Sequence, residues 1–276
     1  MFLVQITFGS DGGDRSHRDS LRDVAEDYLS ALSWNGQVCG EYLLTWSDAQ
    51  LIGYTRVPRP DSFAKRFHSQ WGASALDKLT EAFGRNPEWR ILDDDVPKRF
   101  PAWRSSSSFY LFTHAFDDAS PVCCGDSGEP IPVYLLPIPD QDRRDLYSWA
   151  GYYKHHDNIW LDSGALEIPA YKQLADPTSE LSVSGRELCA KVEKATQKPT
   201  FYYLTRYWGR NDGEEMRPCP LCGGEWRVSD QNADSTPFHK FQFKCDSCRL
   251  VSRIAVSTED ERHARIGEYE PEESDE

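Results

Sequence analysis

Cys219, Cys222, Cys245 and Cys248 form two Cys-x-x-Cys pairs separated by 22 residues, 223 to 244. Four thiolates complete a tetrahedral Zn²⁺ shell and leave no coordination position open, the arrangement of a structural rather than a catalytic ion. The gap is slightly longer than the roughly 20 residues usual for such pairs, but within reach of a hairpin. Each pair suits a tight knuckle: Pro220 pre-sets φ inside the first, and Gly223 or Gly224 can take positive φ just after its second ligand. Glu225–Val228, Phe238–Lys244 and Leu250–Val256 read as strands around the knuckles. The pattern predicts a zinc ribbon over 214–256 holding one ion. Two disulfides or free buried thiols are the alternative.

A second chemically dense stretch runs from Gly151 to Glu167, with His155, His156, Asp157, Asp162, Ser163 and Glu167 close together. Such groups could bind a metal or perform acid–base work, and His155, His156, Asp157 and Glu167 are the catalytic candidates. The plainer reading is polar side chains capping turns between buried aromatics. If Asn158–Leu161 is a strand, His156 and Asn158 share one face and Asp157 takes the other. Gly164 follows Ser163, but no Gly-x-Ser-x-Gly elbow exists here. Cys123-Cys124-Gly125-Asp126-Ser127-Gly128 reads either as a glycine turn or as a knuckle with Ser127 in place of its second thiolate. Cys39 and Cys189 read as small core residues. The aromatic run Thr200–Trp208 and Arg210, two residues beyond it, supply partner-binding candidates, Tyr203, Arg206, Tyr207, Trp208 and Arg210. They could stack on bases or pack beneath the ribbon, and strand alternation splits them between surface and core.

The elements that must position these groups are α+β. Phe2–Phe8 reads as a strand. Leu21, Val24, Ala25, Tyr28, Leu29 and Leu32 repeat at helical spacing. Val38–Trp46 and Leu51–Val57 read as strands joined by a Ser47–Gln50 turn, and 62–83 as a helical region closed by Gly84. With a further strand near Trp89–Leu92, residues 1–100 read as a ferredoxin-like α/β sandwich. Residues 101–213 read as a mixed α+β middle domain, after a linker-like stretch from Asp93 to Ser108. It holds a strand at Phe109–His114, a short helix from Pro169 to Leu174, and a longer helix capped by Ser182 or Ser184. Residues 257–276 read as a disordered acidic tail, with six acids and no base from Glu268 to Glu276.

Net charge over the 276 residues is −14, which weighs against a protein that coats nucleic acid through its phosphates. Between Glu214 and Val256 six bases balance six acids, so the ribbon itself is not basic. No apolar run approaches the ~20 residues of a membrane span, and the start lacks the basic residues of a signal peptide. A cytoplasmic location with reduced cysteines is the expectation.

The run His156–Glu167, the run Ile168–Asp176, Gly185–Leu188, Tyr202–Gly209 and the Cys219–Cys222 knuckle together resemble an uncharacterised bacterial family of Zn-ribbon-containing proteins. Nucleic-acid binding is ascribed to that family from the ribbon alone. The resemblance implies the four zinc ligands Cys219, Cys222, Cys245 and Cys248; it assigns no catalytic residues to carry over. The leading reading is a cytoplasmic, non-enzymatic binding protein with a structural zinc, its partner a nucleic acid held weakly and as a single strand. The second is an acidic module that binds or inhibits a basic protein. The third is an enzyme using the 155–167 cluster. Oligomeric state is not readable.

Overall fold

Alternation of Val4, Ile6 and Phe8 with Leu3, Gln5 and Thr7 gives the first strand one core face and one outer face. A computed structural model describes residues 1–93, 100–209, 214–228 and 240–257. In it the three alternating residues are at most 1% exposed. Strand β1 (Phe2–Ser10) is followed by helix α1 (Arg18–Ser33), β2 (Cys39–Ser47), β3 (Gln50–Val57), α2 (Gln70–Phe83) and β4 (Glu88–Asp93). The four strands form one antiparallel sheet in the order β2-β3-β1-β4. Ala25, Tyr28, Leu29 and Leu32 of α1, with Leu76 and Leu79 of α2, bury the helical stripes in the core with Val4, Ile6 and Phe8. Each large apolar side chain buried this way contributes about 1.5–3 kcal/mol.

The helical region expected over 62–83 begins later, at Gln70. Ser69 is the N-cap, its Oγ accepting from Gly72 N at 3.2 Å, and only a short 3₁₀ turn at Lys65–Phe67 precedes it. Gly84 closes the helix at φ 66°. Without a side chain it enters this left-handed conformation at little cost.

The remaining strands form a second sheet from β5 (Phe109–Leu111), β6 (Val122–Cys124), β7 (Thr200–Tyr203), β8 (Phe243–Cys245) and β9 (Leu250–Ser252). Its order is β6-β5-β7-β9-β8, with β5–β7 and β7–β9 parallel. The strands on either side of the second Cys-x-x-Cys pair, β8 and β9, therefore continue the sheet of the middle region. Tyr202 N donates to Arg249 O at 2.8 Å and Leu204 N to Val251 O at 2.9 Å across that junction.

Three helices lie between β6 and β7: α3 (Asp140–Asp162), α4 (Glu167–Ala175) and α5 (Glu180–Thr196). The strand considered at Asn158–Leu161 is instead the last part of α3. Leu146, Trp149, Ala150, Tyr153 and Asp157 are buried along one helical stripe that runs through the polar cluster. The cap of α5 is Ser179, not Ser182 or Ser184; its Oγ accepts from Ser182 N at 3.1 Å. The strand from Phe109 stops at Leu111, short of His114. Gly185 allows α5 to press on Tyr202 and Trp149, because a Cβ there would collide with both rings.

The chain divides into two compact units. One contains Met1–Trp103, Asp118–Ser120 and Glu129–Tyr147; the other contains Arg104–Asp117, Pro121–Gly128 and the chain from Ser148 onward. No helix among the described residues is long and apolar enough to cross a membrane.

Candidate metal centre

The two knuckles are built by the same local device. In the first, Gly223 N donates to Cys219 O at 2.8 Å and Cys219 N to Gly224 O at 2.8 Å. The turn closes because Gly223 adopts φ 69°. In the second, which joins β8 to β9, the equivalent residue after the second thiolate is Arg249, at φ 53°. A non-glycine residue pays for this conformation, and the surroundings hold it there. Arg249 Nε and Nη2 each donate to the Glu193 carboxylate of α5 at 2.9 Å, and Nη1 donates to Asp246 O at 2.8 Å. Glu193 also accepts from Thr200 N at 3.0 Å. Burial works against this carboxylate, yet the Arg249 and Thr200 bonds outweigh it and hold its pKa below the ordinary value.

The knuckles bring the Sγ atoms of Cys219, Cys222, Cys245 and Cys248 within 4.8 Å of one another. Cys222 Sγ and Cys245 Sγ lie 3.7 Å apart. A tetrahedral ion with sulfur bonds of about 2.3 Å sets neighbouring sulfurs about 3.8 Å apart, so the cluster has the right size. Cys219 and Cys245 are buried, Cys248 is half-buried and Cys222 is exposed. The Gly224 N–H, followed by the Cys248 and Ser247 side chains, lowers the Cys222 pKa to about 6, while burial pushes the Cys219 thiol up. Coordination needs all four groups as thiolates, so binding an ion releases the protons they carry. Ser247 Oγ, 3.2 Å from Cys245 Sγ, adds a hydroxyl outside the sulfur shell. The donor set fits a structural metal ion, and all four positions of a tetrahedron are taken by protein.

Beneath the site Trp226 packs on Phe243, with centroids 5.0 Å apart, and its Nε1 donates to Arg217 O at 2.9 Å. The segment read as Glu225–Val228 meets β8 through Val228 N to Gln242 O at 2.8 Å and Lys244 N to Trp226 O at 2.6 Å. Phe238 lies outside the described residues.

The partner-binding candidates divide. Arg206 and Trp208 are each 4% exposed. Arg206 is ion-paired with buried Glu214 and lies 4.8 Å over the Phe243 ring, so it is a core cation and not a contact for a partner. Trp208 packs on Tyr171, 4.3 Å between centroids, and belongs to the core as well. Tyr203 is half-buried against Phe112 and Phe241, Tyr207 is exposed, and Arg210 lies outside the described residues, as does the acidic stretch from 258.

The catalytic candidates are not gathered. His155, His156 and Asp157 are successive residues of α3, about 100° apart around the helix, whereas Glu167 opens α4. His155 is exposed. His156 is half-buried, and burial, then His155, lowers its pKa. Asp157 is buried and accepts from Ala115 N at 2.6 Å; burial raises its pKa against that bond. Its role is to hold the loop after β5. Cys123 and Cys124 are consecutive residues of β6, with Gly128 N donating to Cys124 O at 2.8 Å, so the segment is a strand and turn.

One cluster of basic side chains was not anticipated. Arg186, Lys194, Lys198 and Arg249 line a cleft of about 660 Å³ whose wall includes Cys248. Three of the four lie on or just after α5 at helical spacing, a signal readable once that helix is recognised.

Three domain models match the chain, each described as a domain of unknown function: DUF8589 over 1–93, DUF2310 over 104–205 and DUF8594 over 209–258. An uncharacterized protein of Haemophilus influenzae (strain ATCC 51907 / DSM 11121 / KW20 / Rd) is 34% identical over 263 residues, 92% of this chain and 98% of that one. A second uncharacterized protein of the same strain is 34% identical over 165 residues, 59% of this chain and 76% of its own. A solved structure, "Crystal structure of antibiotic biosynthesis monooxygenase", is 10% identical with a TM-score of 0.27 over 35% of this chain and 100% of that one, a likeness too slight to bear on fold or activity. With full-length identity of this order to a bacterial relative, the chain belongs to the uncharacterised bacterial family of that Haemophilus influenzae protein.

Proposed function

We propose that the C-terminal part of this chain is a zinc ribbon holding one structural Zn²⁺ within a cytoplasmic, non-enzymatic binding protein. The observation that carries the reading is the closed set of four sulfurs, which leaves a bound ion no position for substrate or water. We also read residues 1–93 as a ferredoxin-like sandwich; the βαββαβ succession and the antiparallel order β2-β3-β1-β4 support this.

The partner we infer is single-stranded nucleic acid, bound weakly. With Arg206 and Trp208 in the core, the α5 cleft is the better seat for a phosphate backbone. Arg186, Lys194 and Lys198 offer positive charge there, while Arg249 is largely neutralised by Glu193. Three cations predict release of about one to three counterions, hence a shallow salt slope. Metal analysis of purified protein tests the ribbon, with about one zinc per chain expected. Fluorescence anisotropy with single- and double-stranded DNA and RNA at several salt concentrations tests the partner. Loss of single-strand binding in Lys194→Gln/Lys198→Gln is the expected result. Tight duplex binding with a steep slope, or no binding to any of the four polymers, refutes it; in the latter case a basic protein becomes the partner to seek.

A further inference from the structure

A cleft of about 280 Å³ opens within the first unit between α1, α2 and the start of α3. Two tryptophans line it. Trp34 follows α1 and is exposed, and Trp71 sits in the first turn of α2. Arg144 of α3 reaches both: its Cζ is 5.7 Å from the Trp34 ring centroid and 5.3 Å from that of Trp71. A guanidinium held over two indole faces keeps its N–H fork in a defined orientation. Among the described residues the Arg144 guanidinium makes no ion pair and no side-chain hydrogen bond. Its neighbour Arg143, by contrast, is engaged with Asn35, Asp140 and Leu136 O. Lys78 supplies a second cation to the same cleft.

We propose that this cleft binds a small molecule in which a planar ring is joined to a single carboxylate or phosphate. Arg144 takes the anion through its planar fork, a geometry that suits both groups. The indoles take the ring, since offset and edge-on aromatic contacts are favourable and tolerant of ring identity. The volume is near the lower bound of small-ligand sites, about 300 Å³, which limits the ligand to one ring system and one anionic group. Two carboxylates set a further limit. Asp140 is committed to Gln70 N at 2.8 Å and to Arg143, but Asp27 also lines the cleft, so a polyphosphate would meet like charge. The proposal is independent of the zinc ribbon and of the α5 cleft.

The test is NMR titration of the full-length, zinc-loaded protein, with the indole N–H signals of Trp34 and Trp71 assigned from Trp34→Phe and Trp71→Phe. Benzoate and adenosine 5′-monophosphate are the two anionic probes, and their separate curves distinguish carboxylate from phosphate. Benzamide and adenosine are the uncharged controls, and inorganic phosphate is the control without a ring. The expected result is a saturable shift of both indole signals by at least one anionic ring compound. Its uncharged counterpart and inorganic phosphate should each bind about tenfold or more weakly. Arg144→Gln should lose about tenfold in affinity at an unchanged melting temperature. Arg144→Lys, which keeps the charge but not the fork, should fall between, and it serves alone if the Gln variant does not fold. Silence of both indoles to about 10 mM of either anionic probe overturns the proposal. So does equal affinity for the uncharged compounds, or undiminished binding by both Arg144 variants.

Discussion

Replacing Arg249 by glycine separates two opposing contributions to the metal centre. The two knuckles differ at the residue after the second thiolate, Gly223 in one and Arg249 in the other, and both residues have positive φ. Glycine at 249 removes a left-handed penalty of about 1–2 kcal/mol. It also removes the bidentate pair with Glu193 and the Asp246 carbonyl bond. The side chains of that pair are 38% and 32% exposed, so solvent screens it, and we assign it about 1 kcal/mol. The charged bond to the Asp246 carbonyl adds about 1.5 kcal/mol. The net expectation is a loss of about 1 kcal/mol, or about fivefold in zinc affinity, measured by competition with a chromophoric chelator. Glu193→Gln, which leaves the backbone penalty in place, should cost a similar amount. The double variant should match Arg249→Gly alone within about 0.5 kcal/mol, because both remove the same contact. If Arg249→Gly holds zinc as tightly as the parent or more tightly, the left-handed backbone penalty offsets or exceeds the Arg249 contacts and the expected order of the two contributions is refuted.

Cys222→Ser should abolish stoichiometric zinc and, because β9 lies beside β7, also lower hydrogen-exchange protection of the Tyr202 and Leu204 amides; protection changes confined to 219–250 would contradict the shared sheet. Gly185→Ala should destabilise by about 1–3 kcal/mol through overpacking against Tyr202 and Trp149, read as a fall in melting temperature. Glu214→Gln should cost about 3–5 kcal/mol by leaving both Arg206 and Arg217 without their counter-charge, whereas Arg206→Met, which leaves Glu214 paired with Arg217, should cost less; equal losses in chemical denaturation would refute the assignment of Arg206 to the core. Burial raises the Asp157 carboxyl above its ordinary 3.8, so folding favours its protonated form and stability falls as pH rises from that value through the raised one. Asp157→Asn keeps an acceptor for Ala115 N and should therefore melt higher than the parent at pH 7, with the advantage vanishing below about pH 4; a variant that melts lower at pH 7 would show that the ionised carboxylate is needed.

Short-range patterns carried much of the architecture. The alternation of Val4, Ile6 and Phe8, the stripe Ala25–Leu32 and the cap Gly84 are local signals, and they mark the elements of the first sheet to within a few residues. The four cysteines were legible for the same reason, since a knuckle is a local turn and thiolates have few uses at that spacing. Longer-range relations were not. Nothing in Thr200–Tyr203 says that its neighbours in the sheet are β5 and β9, which are remote in sequence. Arg206 looks like a surface cation until Glu214 and Phe243 close around it. The polar residues of 155–157 mask the buried stripe Leu146, Trp149, Tyr153 and Asp157, whose period defines α3. The Trp34, Trp71 and Arg144 cleft draws on three separated segments, and none is distinctive alone.

The placement of β9 between β7 and β8 also orders events in time. A chain growing from its N-terminus completes Thr200–Tyr203 well before Leu250–Ser252 exists, so until then one edge of β7 offers its amides and carbonyls unpaired. Such an edge invites pairing with another chain. The strand that covers it begins at Leu250, two residues beyond Cys248, the last of the four thiols. Under the metal reading proposed above, capture of an ion would tie down the start of the covering strand, and a cell short of the metal would accumulate chains with that edge open. Metal supply would then be felt first as aggregation or proteolysis of new chains, before any binding activity of finished ones is lost.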